Sequence, residues 1–344
     1  MTVRIFLCLV WCSAAAVAAS RPQDLAGTAL FAKVWTVEEG AGPLANAQSC
    51  SACHSASLQH RLSVDRENFV LVSPMERDPS GGPVFQRFLF RPGRAVVRRP
   101  LPPKIAGRRP PALHGVGLLA SVPADAITAL EDPTDRNGDG ISGRARRVAG
   151  AVGRFGWKAR AADLEASVAA ALVNEMGLTN TRHGTQPASG PVSPEVSAAQ
   201  LARLVGFVRL LPAPAPSCGT PVNEAGRRWF DATGCARCHV PSLPAGRSKG
   251  THPVIHAYTD LLLHDVGAEL SDGFEDGDTA GAEFRTAPLW GLGRTPPPYL
   301  HDGRAATLDA AIRAHAGEAL SSRRDYAALT SEARAALRSF LNCL

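Results

Sequence analysis

Two short phrases carry most of the chemistry legible in this 344-residue chain: Cys50-Ser-Ala-Cys53-His54 and Cys235-Ala-Arg-Cys238-His239. Both fit C-x-x-C-H, in which two thiols add to the vinyl groups of a haem and the following imidazole ligates its iron. Two residues between the thiols let both reach one porphyrin edge, and the turn then swings the imidazole beneath the ring. The other readings are a zinc site, which more usually adds Cys or His at finger-like spacings, and a thioredoxin-like dithiol, which needs no second copy with an identical trailing His. The repetition favours two covalently bound haem c groups.

Further candidates lie outside these motifs. Asp135-Arg-Asn137-Gly-Asp139-Gly140 reproduces the start of an oxygen-rich calcium loop, with Asp135, Asn137 and Asp139 as alternate side-chain oxygens and glycines for the turn. The twelfth position is Arg146, so an EF-hand is excluded; a structural calcium and a metal-free Asp/Gly turn both remain open. Residues 91–109 hold seven basic residues and no acid, interspersed with Pro. A solvated loop, haem propionate pairing and donor docking are the readings of that stretch.

The elements that must position these residues come next. Residues 1–19 read as a signal peptide: Arg4 precedes an apolar run that is too short for a membrane span and closes in Ala16-Val17-Ala18. Cys8 and Cys12 would leave with it. What remains is about 324 residues, beyond the size at which one core usually keeps growing, so two domains are expected. The formal charge of +6 falls to about +5 without Arg4, and in an exported chain so small a basic excess argues against nucleic acid. No other segment could span a bilayer. Outside the cytoplasm the remaining Cys218 and Cys343 need a partner. A disulfide between them would close a loop of about 125 residues, the alternative being two unpaired thiols.

The Pro-rich run from Leu211 to Ser217 cannot continue a helix or fill a central strand. It divides the chain into an N-terminal haem domain, 20–211, and a C-terminal haem domain, 212–344. Each half carries a Gly-x-x-x-Phe element ahead of its cysteines, Gly27 with Phe31 and Gly226 with Phe230, which suggests a degenerate repeat. Phe230 stands five residues before Cys235 and Phe31 nineteen before Cys50, so the first copy carries an insertion. Amphipathic periodicity predicts helices over 161–173, 195–211, 307–315 and 331–341, and alternating strand patterns are few. The expected fold is mainly α: two cytochrome-c-like haem domains with long Gly/Pro-rich loops, the haem supplying much of each core.

Several longer phrases resemble the bacterial di-haem cytochrome c peroxidase superfamily, most closely its branch of di-haem oxidoreductases of poorly defined substrate. They are Gly153-Arg-Phe-Gly-Trp-Lys-Ala159, Asn174-Glu-Met-Gly-Leu-Thr179, Tyr258-Thr-Asp-Leu-Leu-Leu-His-Asp265, Arg285-Thr-Ala-Pro-Leu-Trp-Gly291 and Tyr299-Leu-His-Asp-Gly-Arg-Ala305. The resemblance covers most of the chain from about residue 105 onward and is poorest between His54 and about Met75. It implies that the C-terminal haem takes its second axial ligand from the helix after the His-Asp-Gly turn, at a position held here by His315. Leu308, Ile312 and His315 share one helical face, which is compatible with that role. A His239/His315 pair would give a lower potential than His/Met. The resemblance also implies that the N-terminal haem is catalytic, with His54 proximal, Glu175 as distal carboxylate and Trp157 as a relay between the haems. Ser167 stands where the peroxidases have Gln, a departure from their pattern. His60 and His114 are candidates for a distal His, neither well placed by spacing. The superfamily's calcium near the domain junction would correspond to the Asp135–Asp139 loop.

The function this implies is a periplasmic di-haem oxidoreductase of peroxidase type. It would reduce peroxide or another small oxidant at the His54 haem, with electrons from a periplasmic donor protein relayed through the His239 haem. The alternatives are a non-catalytic electron-transfer cytochrome and a di-haem oxidase that modifies a partner protein.

Overall fold

The computed structural model describes residues 22–54, 70–72, 84–183, 193–216, 224–246 and 253–344. The expected signal peptide, His60 and Cys218 lie outside the described residues. Among the described residues ten α-helices occur: α1 (Pro22–Ala32), α2 (Cys50–His54), α3 (Val116–Ala120), α4 (Ala124–Thr128), α5 (Leu164–Met176), α6 (Ala198–Leu210), α7 (Glu224–Ala232), α8 (Leu308–Ala314), α9 (Leu320–Ala328) and α10 (Ser331–Leu341). The four helices expected from periodicity are α5, α6, α8 and α10. Among them run five small antiparallel sheets of two or three strands. That is more strand than expected, because segments of two or three residues carry no alternation to read. No helix among the described residues is long and apolar enough to cross a membrane.

Local chemistry explains the ends of the main helices. The Asp163 carboxylate accepts from the Ala166 N–H at 2.7 Å and caps α5. Gly177, left-handed at φ 66°, closes it. The helix therefore runs past the expected residue 173 and takes in Glu175. A capping box of Ser197 and Gln200 starts α6, which ends at Leu210, just before the Pro-rich run. The Thr330 hydroxyl accepts from the Ala333 N–H and starts α10.

The two Gly-x-x-x-Phe elements have the same structural meaning. On α1, a Cβ at Gly27 would stand 2.5 Å from the Phe207 Cβ and 2.9 Å from the Arg203 carbonyl oxygen of α6. On α7, a Cβ at Gly226 would stand 2.2 Å from the Ala336 carbonyl oxygen and 2.6 Å from the Phe340 Cβ of α10. Glycine lets each helix pair approach backbone to backbone. Four residues on, Phe31 packs against Phe207 with ring centroids 5.1 Å apart, and Phe230 against Phe340 at 5.5 Å. Each pair thus forms one wall beside its own cysteine motif.

Two apolar clusters result. One gathers α1, α3, α5 and α6 and also takes in Leu243, Ala245, Ile255, Leu261 and Trp290; the other joins Phe230, Leu308, Tyr326, Leu337 and Phe340. Between them the long phrases interlock through hydrogen bonds to backbone carbonyls. Arg109 N–H donates to the His301 carbonyl at 2.7 Å, Trp157 Nε1–H to the Arg109 carbonyl at 2.6 Å, and Arg285 N–H to the Trp157 carbonyl at 2.8 Å. Cys343 is disulfide-bonded, and the four motif cysteines are free, so its partner lies outside the described residues.

Candidate functional site

A cavity of about 530 Å³ is lined by both cysteine motifs. Cys50, Cys53, His54, Cys235, Cys238, His239, His315, Glu175 and Trp157 all face it. Helix α5 presents one stripe to it, Ser167, Val168, Ala171, Leu172, Glu175 and Met176. That spacing is the i, i+4, i+8 period of a helix face. Helix α8 and its end contribute Leu308, Ala311, Ile312 and His315. His315 is the C-cap residue and not part of the helix, since its ψ is 134°.

The first motif forms the short helix α2. Burial pushes the Cys50 thiol up to about 12, and burial together with the Glu175 charge pushes Cys53 up to about 11. Burial also lowers His54 to about 4, so its imidazole is neutral. Its Nδ1 is buried with no hydrogen-bond partner among the described residues. Asn46 Nδ2 donates to Glu175 Oε2 at 2.7 Å, and the Asn46 Oδ1 accepts from the Arg87 N–H at 2.9 Å. The carboxylate is thus held from a strand end rather than left as a solvated helix-end charge. Met176 Sδ lies 4.0 Å from Cys50 Sγ.

The second motif begins in a 3₁₀ turn, Cys235–Arg237, after the left-handed Gly234. His239 Nδ1 donates to the Tyr258 carbonyl at 3.1 Å, which leaves Nε2 as the acceptor. Burial, with a contribution from His315, lowers His239 to about 4. His315 Nδ1 donates to the Ala311 carbonyl at 2.8 Å, likewise leaving Nε2 available, and burial lowers its pKa. Behind Cys238 sits His264, with Nδ1 2.7 Å from Glu318 and Nε2 2.8 Å from Asp260. Burial opposes its charge, but hydrogen bonds with Asp260, Cys238 and Glu318 outweigh burial and hold it charged, pushed up to about 12. Glu318 also accepts from Ser142 N–H and Oγ–H, each at 3.0 Å.

Trp157 has its ring 6.2 Å from His301, edge to face, and His301 stacks on Phe284 at 3.8 Å. Its indole N–H is fixed by the Arg109 carbonyl, which sets the orientation of the ring. His114 is buried and lines the cavity. Asp135, Asn137 and Asp139 do not line it. Their side chains accept from the N–H groups of Gly140, Asp139 and Ile141 within their own loop. Arg146, at the twelfth loop position, instead reaches the Lys158 carbonyl at 2.9 Å.

These donors fit haem c. The thiols are uncharged and outside any disulfide in an apolar cavity, which suits thioethers rather than thiolate metal ligands. The neutral imidazoles of His54, His239 and His315 face the same space, the last two with Nδ1 already used. Among the described residues the group of close metal donors is Cys238, Asp260 and His264, which leaves out His239, so the second motif does not converge as a zinc site. The spacing of Asn46, His264 and Glu318 gave no signal of their roles. His264 and Asp260 stand inside a phrase already noted, whereas Asn46 and Glu318 are recognisable only in three dimensions.

Residues 182–344 match the family model described as "Di-haem oxidoreductase, putative peroxidase". The match bears out the resemblance read from the longer phrases, and this family carries two haem groups. It spans the second motif and His315; the first motif, Trp157 and Glu175 precede it. No curated protein matches the chain significantly. Among solved structures, the chain is similar to hydrazine synthase of Kuenenia stuttgartiensis, pressurised with xenon, at 13% identity over 100% of each chain and a TM-score of 0.47. It is also similar to a MauG-like protein associated with microbial copper homeostasis, at 17% identity, covering 94% of this chain and 89% of that one, with a TM-score of 0.47.

Proposed function

We propose, from the di-haem oxidoreductase match of residues 182–344, that this chain is an exported, periplasmic c-type oxidoreductase of peroxidase type. A small oxidant such as peroxide is reduced beside His54, and a periplasmic donor protein supplies electrons by way of His239. The observation that supports this best is one cavity lined by both motifs together with Glu175 and Trp157. Cys50 and Cys53 would attach the first haem with His54 as ligand, and Cys235 and Cys238 the second with His239 and His315. When bound, the haems would supply redox-active iron.

The chain's own residues do the rest. Glu175, oriented by Asn46, takes a proton from the oxidant and returns it to the departing oxygen, which is general acid–base catalysis. Trp157 lies on the same cavity, its ring held by Arg109, and serves as the electron relay. The apolar stripe of α5 excludes water around the reacting oxygens.

The test is Glu175→Gln, which keeps shape and the Asn46 contact but removes the base. Peroxide-dependent turnover should fall about 10²–10⁴-fold with both haem spectra nearly unchanged. Wild-type peroxide reactivity per haem would instead put the electron-transfer cytochrome first. Loss of haem content with activity per haem preserved would mark the carboxylate as structural.

A further inference from the structure

The basic stretch that the proposed function leaves unused runs along an open sheet edge. Among the described residues, strand Val97–Arg98 pairs on one side only, with Phe88–Leu89, in a three-stranded sheet whose other edge is Leu44–Ala45. The register sets Val97 opposite Leu89 and Arg98 opposite Phe88, and the Arg99 N–H donates to the Arg87 carbonyl at 2.7 Å. Alternate residues of an antiparallel pair exchange both bonds. Val97 and Arg99 therefore bond inward, and the backbone N–H and C=O of Val96 and Arg98 face outward. Two outward-facing residues at a spacing of two are what an added strand needs.

The side chains point the same way. Every residue from Arg91 to Arg98 is exposed, Val96 and Val97 by 52% and 51%. Arg91, Arg94, Arg98 and Lys104 have no carboxylate partner among the described residues. Arg108, by contrast, is paired with Asp272, and Arg99 lies over the Phe85 ring at 4.6 Å. Exposed valines on an unpaired edge invite pairing with another chain, and the surrounding cations select its charge. The edge is also joined to Glu175, which lines the same cavity as the first motif, by three bonds in series: Arg99 N–H to the Arg87 carbonyl, Arg87 N–H to Asn46 Oδ1, and Asn46 Nδ2 to Glu175.

We propose that residues 95–99 take up an extended acidic segment of a partner protein as an added strand, docking it beside the first motif. A membrane surface would be recognised by charge and apolar area alone and has no use for the outward backbone groups. The proposal goes beyond the oxidoreductase reading and does not rest on it, because binding is read without turnover.

The experiment uses the full haem-loaded protein and a fluorescein-labelled peptide of alternating Glu and Val, followed by anisotropy. Binding should weaken with salt. Arg98→Ala should weaken it about threefold, as expected for one exposed ion pair. Arg98→Pro should weaken it by roughly a further tenfold, because it also removes the outward N–H while sparing the bonds to Phe88–Leu89. A Glu/Val peptide N-methylated at every backbone nitrogen, equal in charge but without the pairing N–H groups, should likewise bind about tenfold more weakly than the unmethylated peptide, whatever the variants do to folding. No binding, equal binding of the two peptides, or variants that bind like wild type each overturn the proposal. So does tighter binding to phosphatidylglycerol vesicles with the same dependence on Arg98.

Discussion

The two cysteine motifs share a sequence pattern but not a setting. At the second, the Tyr258 carbonyl takes the Nδ1 hydrogen of His239, His315 faces the same cavity with its own Nδ1 tied to Ala311, and Cys238 is backed by the Asp260–His264–Glu318 cluster. At the first, the His54 Nδ1 has no partner among the described residues, Cys50 has Met176 for a neighbour, and the polar group across the cavity is a carboxylate held by Asn46. A ligating imidazole that donates its second N–H is fixed in orientation and made more basic. The second site thus fixes the imidazoles it presents, as the proposed electron-transfer role needs, and the first sets its imidazole on a cavity shared with a carboxylate, as the proposed proton transfer needs. Both stand against the same kind of wall, a helix pair closed over a glycine and a phenylalanine, so the difference lies in what surrounds the ligands and not in the scaffold.

The largest expected change comes from removing the feature that sets the second site apart. His315→Ala should convert its haem from low-spin to high-spin or water-ligated, leaving two covalent haems per chain and the first haem's spectrum untouched. An unchanged low-spin spectrum would break the comparison at its strongest point. Next is His264→Leu, which leaves Asp260 and Glu318 without their buried cation and should cost about 3–5 kcal/mol, read as a lower melting temperature of the haem-loaded protein. The effect depends on pH in a defined sense. His264 is charged in the folded chain up to about 12 and unfolds to an ordinary imidazole, so its stabilisation is full below the unfolded value of about 6.5 and falls as pH rises toward 12. The melting gap between wild type and His264→Leu should therefore narrow from pH 6 to pH 9 (roughly 1.4 kcal/mol per pH unit above the unfolded value), and a widening gap would show that the imidazole is not charged. The smallest effects test the shared wall. Gly27→Ala and Gly226→Ala should each cost about 1–3 kcal/mol by overpacking. Gly226→Ala should cost more, since its new methyl meets a backbone carbonyl at 2.2 Å where Gly27 meets a side-chain carbon at 2.5 Å. Denaturant melts of the two variants side by side measure the difference, and equal costs would mean the α1–α6 contact is no looser than the α7–α10 contact.

Part of this architecture can be read directly along the chain. The amphipathic periods over α5, α6, α8 and α10, the stop at the Pro-rich run and the pairing of Gly27 with Phe31 and Gly226 with Phe230 are local patterns, and the structure contains each of them. The short strands escaped because two or three residues have no period, and the reach of α5 to Met176 was missed because its end is set by a glycine cap rather than by apolar spacing. That reach matters, because it turns Glu175 from a residue beyond a helix into one on the cavity-facing stripe.

By itself, the sequence determined the chemistry on offer: two thiol pairs each followed by an imidazole, a third imidazole on the face of Leu308 and Ile312, a carboxylate and an indole inside phrases shared with a di-haem superfamily. These are properties of residue type and short spacing, which survive without knowing how the chain folds back. Only the tertiary structure decided what each group meets. Asn46 reaches Glu175 across 129 residues, Ser142 reaches Glu318 across 176, and the Arg109 carbonyl receives the Trp157 N–H across 48. Such bonds form because buried polar groups must find partners wherever packing brings one near, and that requirement leaves no mark on the local order of residues.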